Sequence, residues 1–162
     1  MEHPVLIVIV AFVLGLLFGS FLNVCIARVP RRQSIVRPGS RCPACGAAIR
    51  WYDNVPLLSW LLLGRRCRDC RQPIPWRYPL VELALGLWFA WITASCLRAL
   101  AGLHGPAGTE FYVRIILAGA AAAVLGFLLI GLMVMDWQTN LLPNAFKLWG
   151  IFAGYILVCI HA

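Results

Sequence analysis

Three stretches of this chain are long and apolar enough to cross a lipid bilayer, and nothing else in the sequence constrains its fold as strongly. Residues 5–27 are 23 consecutive residues without a charge, residues 115–135 are another 21, and residues 78–97 carry only Glu82. At about 1.5 Å of rise per residue, each would reach across a hydrocarbon core of about 30 Å. A soluble domain of 162 residues cannot cover a composition that is 62% hydrophobic and 12% charged. Intrinsic disorder is excluded too, because the apolar residues come in blocks. The expected fold class is an all-α polytopic membrane protein. A cleaved signal peptide is a poor reading of residues 5–27, which lack a basic leading segment, are too long, and have their basic residues after them.

A fourth apolar run, residues 144–162, follows Pro143 and brings the expected number of transmembrane helices to about four. Only 15 residues follow Lys147, about 22 Å of helix and a little short for a full crossing. A locally thinned bilayer accommodates such a span; a chain that stops inside its last helix also reads as the front part of something longer. No internal repeat or low-complexity segment is visible.

Of the 14 Lys and Arg residues, eleven lie within residues 28–77, opposed there only by Asp53 and Asp69. An Arg-rich segment between apolar spans is the cytoplasmic signature of the positive-inside rule, a simpler source of the formal +8 charge than nucleic-acid binding. No nucleic-acid partner is expected. The amino end then lies outside and residues 28–77 in the cytoplasm. Residues 98–114, with Gly102, Gly105, Pro106 and Gly108, form an external turn. The third span returns Asp136 to the cytoplasmic face. The organisation is a first transmembrane helix in residues 1–27, a basic cytoplasmic loop in 28–77, and three further helices in 78–162.

Inside the basic loop stand Cys42-Pro-Ala-Cys45 and, after 21 residues, Cys67-Arg-Asp-Cys70. Two Cys-x-x-Cys knuckles at this separation are what a tetrahedral zinc site asks for, each supplying two thiolates from one tight turn. A reducing cytoplasm disfavours disulfides, and neighbouring Arg side chains favour thiolates, so metal is preferred over a dithiol redox pair or incidental thiols. The ion would be structural, because so basic and proline-rich a loop cannot bury a large core. Cys25, Cys96 and Cys159 lie in or beside spans, where Cys is a small apolar residue. Residues 55–63, with Trp51 and Trp60, are apolar enough either to lie on the membrane interface or to pack against the knuckles as a miniature core; the two readings are compatible.

Two acids stand at membrane depth. Asp136 closes 21 uncharged residues, so it is either a functional carboxylate, the point where the span reaches water, or an acceptor for backbone N–H groups of the turn at residues 138–142. Glu82 falls in what the sequence suggests is the first turn after Pro79, where the positive end of the helix dipole explains it without chemistry. His3, His104 and His161 form no set with these acids.

The ordered blocks Gly19-Ser-Phe-Leu-Asn-Val24, Arg28-Val-Pro30, Cys42-Pro-Ala-Cys45, residues 51–60, Cys67-Arg-Asp-Cys70, Arg77-Tyr-Pro-Leu-Val-Glu82 and Asp136 with Leu142-Pro143 closely resemble bacterial prepilin peptidases, the type IV leader peptidases. The likeness runs over residues 14–144. It implies a multi-pass aspartic endopeptidase of the bacterial inner membrane. Such an enzyme removes the basic leader of type IV prepilins and type II secretion pseudopilins at the cytoplasmic face, and in many members methylates the new amino terminus with S-adenosylmethionine. By this resemblance Asp136 matches the first of two catalytic aspartates, and Cys42, Cys45, Cys67 and Cys70 match the cysteines of the bifunctional members. No glycine-rich nucleotide loop is recognisable, so methylation rests on the resemblance alone.

Two departures accompany the likeness. Asn144 stands where the family has the Asp of Leu-Pro-Asp, and the second catalytic aspartate, in a Gly-x-Gly-Asp block, has no counterpart. One carboxylate is half an aspartic protease site, because one acid must activate water while the other protonates the leaving group. The other half would come from a downstream or separately encoded segment, or from a second copy in a homodimer. The competing functions are a non-catalytic membrane scaffold of a pilus or type II secretion system, and a membrane thiol oxidoreductase.

Overall fold

A computed structural model describes residues 2–102 and 108–139. Four α-helices run in the order α1 (Glu2–Arg28), α2 (Leu58–Leu62), α3 (Arg77–Ala101) and α4 (Thr109–Thr139), with short 3-10 turns at Val29–Arg31 and Trp51–Asn54. No named strand occurs among the described residues; two isolated antiparallel bridges, Arg41 with Ala48 and Arg66 with Pro73, brace the loop between α1 and α3. Three segments are long and apolar enough to cross a membrane: Pro4–Arg31, Arg77–Ala101 and Thr109–Gln138. The secondary structure of the described residues is therefore all-helical, with three candidate spans, and the fourth apolar run, 144–162, lies outside them.

The helices extend beyond the apolar runs that announce them. α3 continues through Arg98 to Ala101 and α4 begins at Thr109, so much of the turn expected over residues 98–114 is helical. Hydropathy registers where the chain meets water, whereas a helix stops only where its hydrogen bonds stop. α3 also begins at Arg77, which places Pro79 within its first turn, where the missing N–H costs nothing. Glu82 therefore sits in the second turn, beyond the reach assigned to the dipole, and its role has another source.

Lipid tails are as apolar as leucine, so close backbone approach rather than water exclusion must hold membrane helices together. α1 and α3 achieve it through glycine. A Cβ on Gly15 would stand 2.5 Å from the Leu85 carbonyl oxygen, and one on Gly19 would stand 2.5 Å from the Glu82 Cα. Around this crossing Leu22, Ile26, Val81 and the fully buried Leu85 form the core, with Phe89, Phe127, Ile130 and Val134 packed on it. Phe18 lies 5.6 Å from Phe89 and 6.4 Å, edge-on, from Phe127. α4 joins by two devices: Gly131 faces Leu22, and the Trp88 indole lies over Gly126 and donates to the Ala122 carbonyl at 3.0 Å. Leucines and valines such as Leu14, Leu87, Val124 and Leu128 cover the outside of the bundle, as lipid-facing surfaces require.

Candidate functional site

The two Cys-x-x-Cys turns are built alike. In the first, Cys42 N–H donates to the Ala47 carbonyl at 2.9 Å and Gly46 N–H to the Cys42 carbonyl at 2.9 Å; in the second, Cys67 N–H donates to Gln72 at 2.8 Å and Arg71 N–H to Cys67 at 3.1 Å. Each turn closes on a residue with positive φ, Gly46 at +74° and Arg71 at +60°. The turns face each other so that all four Sγ atoms lie within 4.8 Å of one another, with Cys42 and Cys70 3.8 Å apart.

An ion holding four sulfurs at about 2.3 Å needs sulfur pairs about 3.8 Å apart, whereas a disulfide needs about 2.05 Å. The four cysteines are free thiols. Their spacing and softness suit a metal ion and are compatible with zinc. Backbone N–H of Cys45 lowers the Cys42 thiol to about 7 against opposing desolvation, with help from the Ala44 N–H and the Cys67 and Cys45 thiols. At Cys70 the Gln72 N–H pulls down, but desolvation and hydrogen bonds to the other three thiols prevail and push it up to about 12. Cys42 thus ionises more readily than Cys70, and a bound cation would favour loss of the thiol protons.

The rest of the loop is fastened around this centre. Asp53 accepts two hydrogen bonds from Arg68, at 2.7 and 2.6 Å, tying the Trp51–Asn54 turn to the second knuckle. Hydrogen bonding from Arg68 holds the Asp53 carboxyl below its ordinary value. Its contribution to stability is therefore present above the ordinary carboxylate range and fades only as pH falls through the lowered value. The Arg65 guanidinium lies over both Trp60 and Trp76, 5.1 and 5.0 Å from ring centres that are 4.7 Å apart, and the Trp60 indole donates to Ile74 at 3.2 Å. Trp60 is thus part of a miniature core, whereas Trp51 is 83% exposed.

Three buried polar residues of the bundle lie toward the end that carries the loop. Asn23 donates from its amide to the Tyr78 carbonyl at 3.0 Å, joining α1 to the start of α3. Glu82, 8% exposed, accepts the Leu57 backbone N–H at 2.8 Å and so anchors the start of α2. A cavity of about 280 Å³, whose walls include Asn23, Cys42, Tyr78 and Glu82, lies between the loop and the ends of α1 and α3. Sequence reasoning assigned no role to Asn23 or Gly15. The signal for the glycines was present in Gly15-x-x-x-Gly19, a small-residue spacing that lets helices touch; for Asn23 only a structure identifies the partner carbonyl.

Asp136 is the third, 8% exposed, two residues after the core-packing Val134. Helix α4 runs on to Thr139, so Asp136 does not end it; of the turn expected at 138–142, residues 138 and 139 are still helical and 140–142 lie outside the described residues. With Gly131 against Leu22, Asp136 stands about 7.5 Å further toward the Arg28 end of α1. Glu82 meets Gly19, about 4.5 Å the other way. The two acids therefore differ by about 12 Å in depth and belong to different structures, one at the loop anchor and one at the end of the bundle. Asp136, Arg28 and the cysteine loop share that end.

Residues 13–96 match the family described as the Bacterial Peptidase A24 N-terminal domain. The chain is 49% identical over 146 residues to the prepilin leader peptidase/N-methyltransferase of Myxococcus xanthus (strain DK1622), an alignment covering 90% of this chain and 38% of that one. It is 38% identical over 176 residues to a protein of the same name from Burkholderia pseudomallei (strain 1026b), covering 93% and 50%. For the Klebsiella pneumoniae protein of that name the identity is 39% over 161 residues, covering 96% and 63%. The alignments thus span only 38% to 63% of these relatives' length. No solved structure matches the chain.

Proposed function

Because this chain belongs to the family of the Bacterial Peptidase A24 N-terminal domain, we propose that it is the portion of a prepilin leader peptidase that carries one catalytic carboxylate, Asp136, and a structural zinc loop. The observation that carries this reading is a carboxylate buried in the last turn of a helix long and apolar enough to span a membrane, at the same end of the bundle as the cysteine loop. In this reading residues 28–77 lie in the cytoplasm of a bacterial inner-membrane protein whose amino end is outside. The substrates are type IV prepilins or pseudopilins, cut where Asp136 meets the membrane boundary.

Aspartic proteolysis divides labour between two carboxylates that share a proton: one takes a proton from the attacking water, the other gives one to the departing amine. The other five acids of the sequence are poorly suited to pair with Asp136. Glu2 and Glu110 begin α1 and α4, far along those helices from Asp136. Asp53 is held by Arg68, Asp69 is in the second knuckle and Glu82 holds Leu57. The second carboxylate is therefore supplied by another segment or by a second copy. Zinc on Cys42, Cys45, Cys67 and Cys70 would fix the loop's fold and take no part in hydrolysis. N-methylation from S-adenosylmethionine is proposed from the relatives' names alone, and no residue is assigned to it.

The test is complementation of cells lacking their own leader peptidase. This chain, joined to the remainder of the Myxococcus xanthus relative, is expected to restore prepilin processing, and Asp136→Asn to abolish it at unchanged protein abundance. Processing that survives Asp136→Asn removes this residue from the site. Processing by this chain alone, lost in the variant, assigns the second carboxylate to a second copy.

A further inference from the structure

Helix α2 is amphipathic in the opposite sense to a helix in a soluble loop. Its buried residue is Ser59, whose hydroxyl donates to the Tyr52 carbonyl at 3.0 Å and accepts the Val55 N–H at 2.9 Å. Its leucines point outward: Leu58, Leu61 and Leu62 are all exposed, Leu62 by 78%. The adjoining 3-10 turn adds Trp51, the most exposed tryptophan among the described residues. A loop surrounded by water would bury these side chains and expose the serine.

The depth of α2 explains the inversion. The N–H of Leu57, the residue just before α2, is bound by Glu82, five residues inside α3 and hence about 7.5 Å below the helix start at Arg77. Gly19, which meets Glu82, lies nine residues before Arg28 on α1, about 13 Å from that helix end. The start of α2 is therefore level with membrane-spanning segments rather than above them. At such depth an irregular backbone N–H must find an acceptor inside the protein. Glu82 supplies it, which gives this membrane-depth acid its structural reason. Leu80 and Leu87 on α3 are exposed like the leucines of α2, and the exposed Arg66 follows α2 at its far end.

We propose that α2 and Trp51 lie in the membrane interface, their leucines and indole among the acyl-chain ends and Arg66 at anionic headgroups. The occupant of this face is the bilayer itself. The loop is then anchored to the membrane at a second place besides α1 and α3.

The full chain, reconstituted with zinc in phosphatidylcholine/phosphatidylglycerol vesicles, tests this by quenching with brominated lipids, Trp51 being isolated as the difference between the unaltered protein and Trp51→Phe. The Trp51 component is expected to be quenched about twofold more by lipid brominated near the headgroup than by lipid brominated near the chain end. Introducing Leu62→Trp into the Trp51→Phe protein is expected to reproduce that depth preference. Emission insensitive to brominated lipid at both positions overturns the proposal: with quenching by iodide the face is in water, and without it a protein surface covers it.

Discussion

Arg71 does in the second knuckle what Gly46 does in the first: each closes a Cys-x-x-Cys turn at positive φ. Only glycine adopts that conformation without penalty, and a side chain there costs roughly 1–2 kcal/mol, partly offset by glycine's greater freedom when unfolded. Arg71→Gly is therefore expected to stabilise the knuckle by about 0.7 kcal/mol. A shift of that size means about threefold more competing chelator at half-removal of the metal. A Cβ on Gly46 meets nothing within 4 Å, so Gly46→Arg should move the midpoint the other way through backbone strain alone. If both variants release metal like the unaltered protein, the positive-φ positions do not limit the knuckle. The cysteines themselves were legible in the sequence because a metal site needs ligands at fixed local spacing. Glu82 was read as structural, but through the helix dipole rather than its actual partner, the Leu57 N–H, which is 25 residues away in the chain.

At the scale of the element, the crossing of α1 and α3 depends on two positions where no side chain fits. Gly19→Val would force atoms into the backbone of α3 at Glu82 and Val81, and backbone cannot move aside as a flexible side chain can. Overpacking of this kind costs about 1–3 kcal/mol, and here it also threatens the Glu82 anchor. The expected result is a lower thermal midpoint in detergent and a smaller monodisperse fraction, with Gly39→Ala, which meets nothing within 4 Å, unchanged. A Gly19→Val protein that melts with the unaltered one would show that the helices separate at little cost. Hydropathy located the three spans because about twenty residues with at most one charge admit few alternatives. It placed their ends poorly, missing four residues at the end of α3 and six at the start of α4, since helix ends respond to hydrogen bonding rather than to the bilayer. Which faces pack was hidden for a related reason: in lipid, buried and exposed positions are both apolar, and only the glycines distinguish them.

The whole molecule divides into a helical bundle that packs through its own glycines and aromatics and a loop with little to hold it except the cysteine centre. The cluster of Trp60, Trp76 and Arg65 is small, and discrete contacts such as Leu57 with Glu82 flank the cavity between loop and bundle rather than continuous packing. Metal binding would then contribute folding free energy that the loop cannot gain by burial, while the bundle needs none of it. Treating the purified protein with a chelator to remove metal from the cysteine centre, or substituting Cys67→Ser, is expected to open the Arg-rich segment of residues 65–71 to trypsin within minutes. The helical circular dichroism of the spans should persist. Trp60 fluorescence should shift to the red as its stack with Trp76 opens, giving a second reading of the same event. A loop that stays resistant with no metal bound would mean that the Asp53–Arg68 clamp and the tryptophan cage hold it alone. Loss of the bundle together with the loop would mean that the anchors at Glu82 and Tyr78 make the two halves one cooperative unit, and that loop and membrane helices do not fold independently.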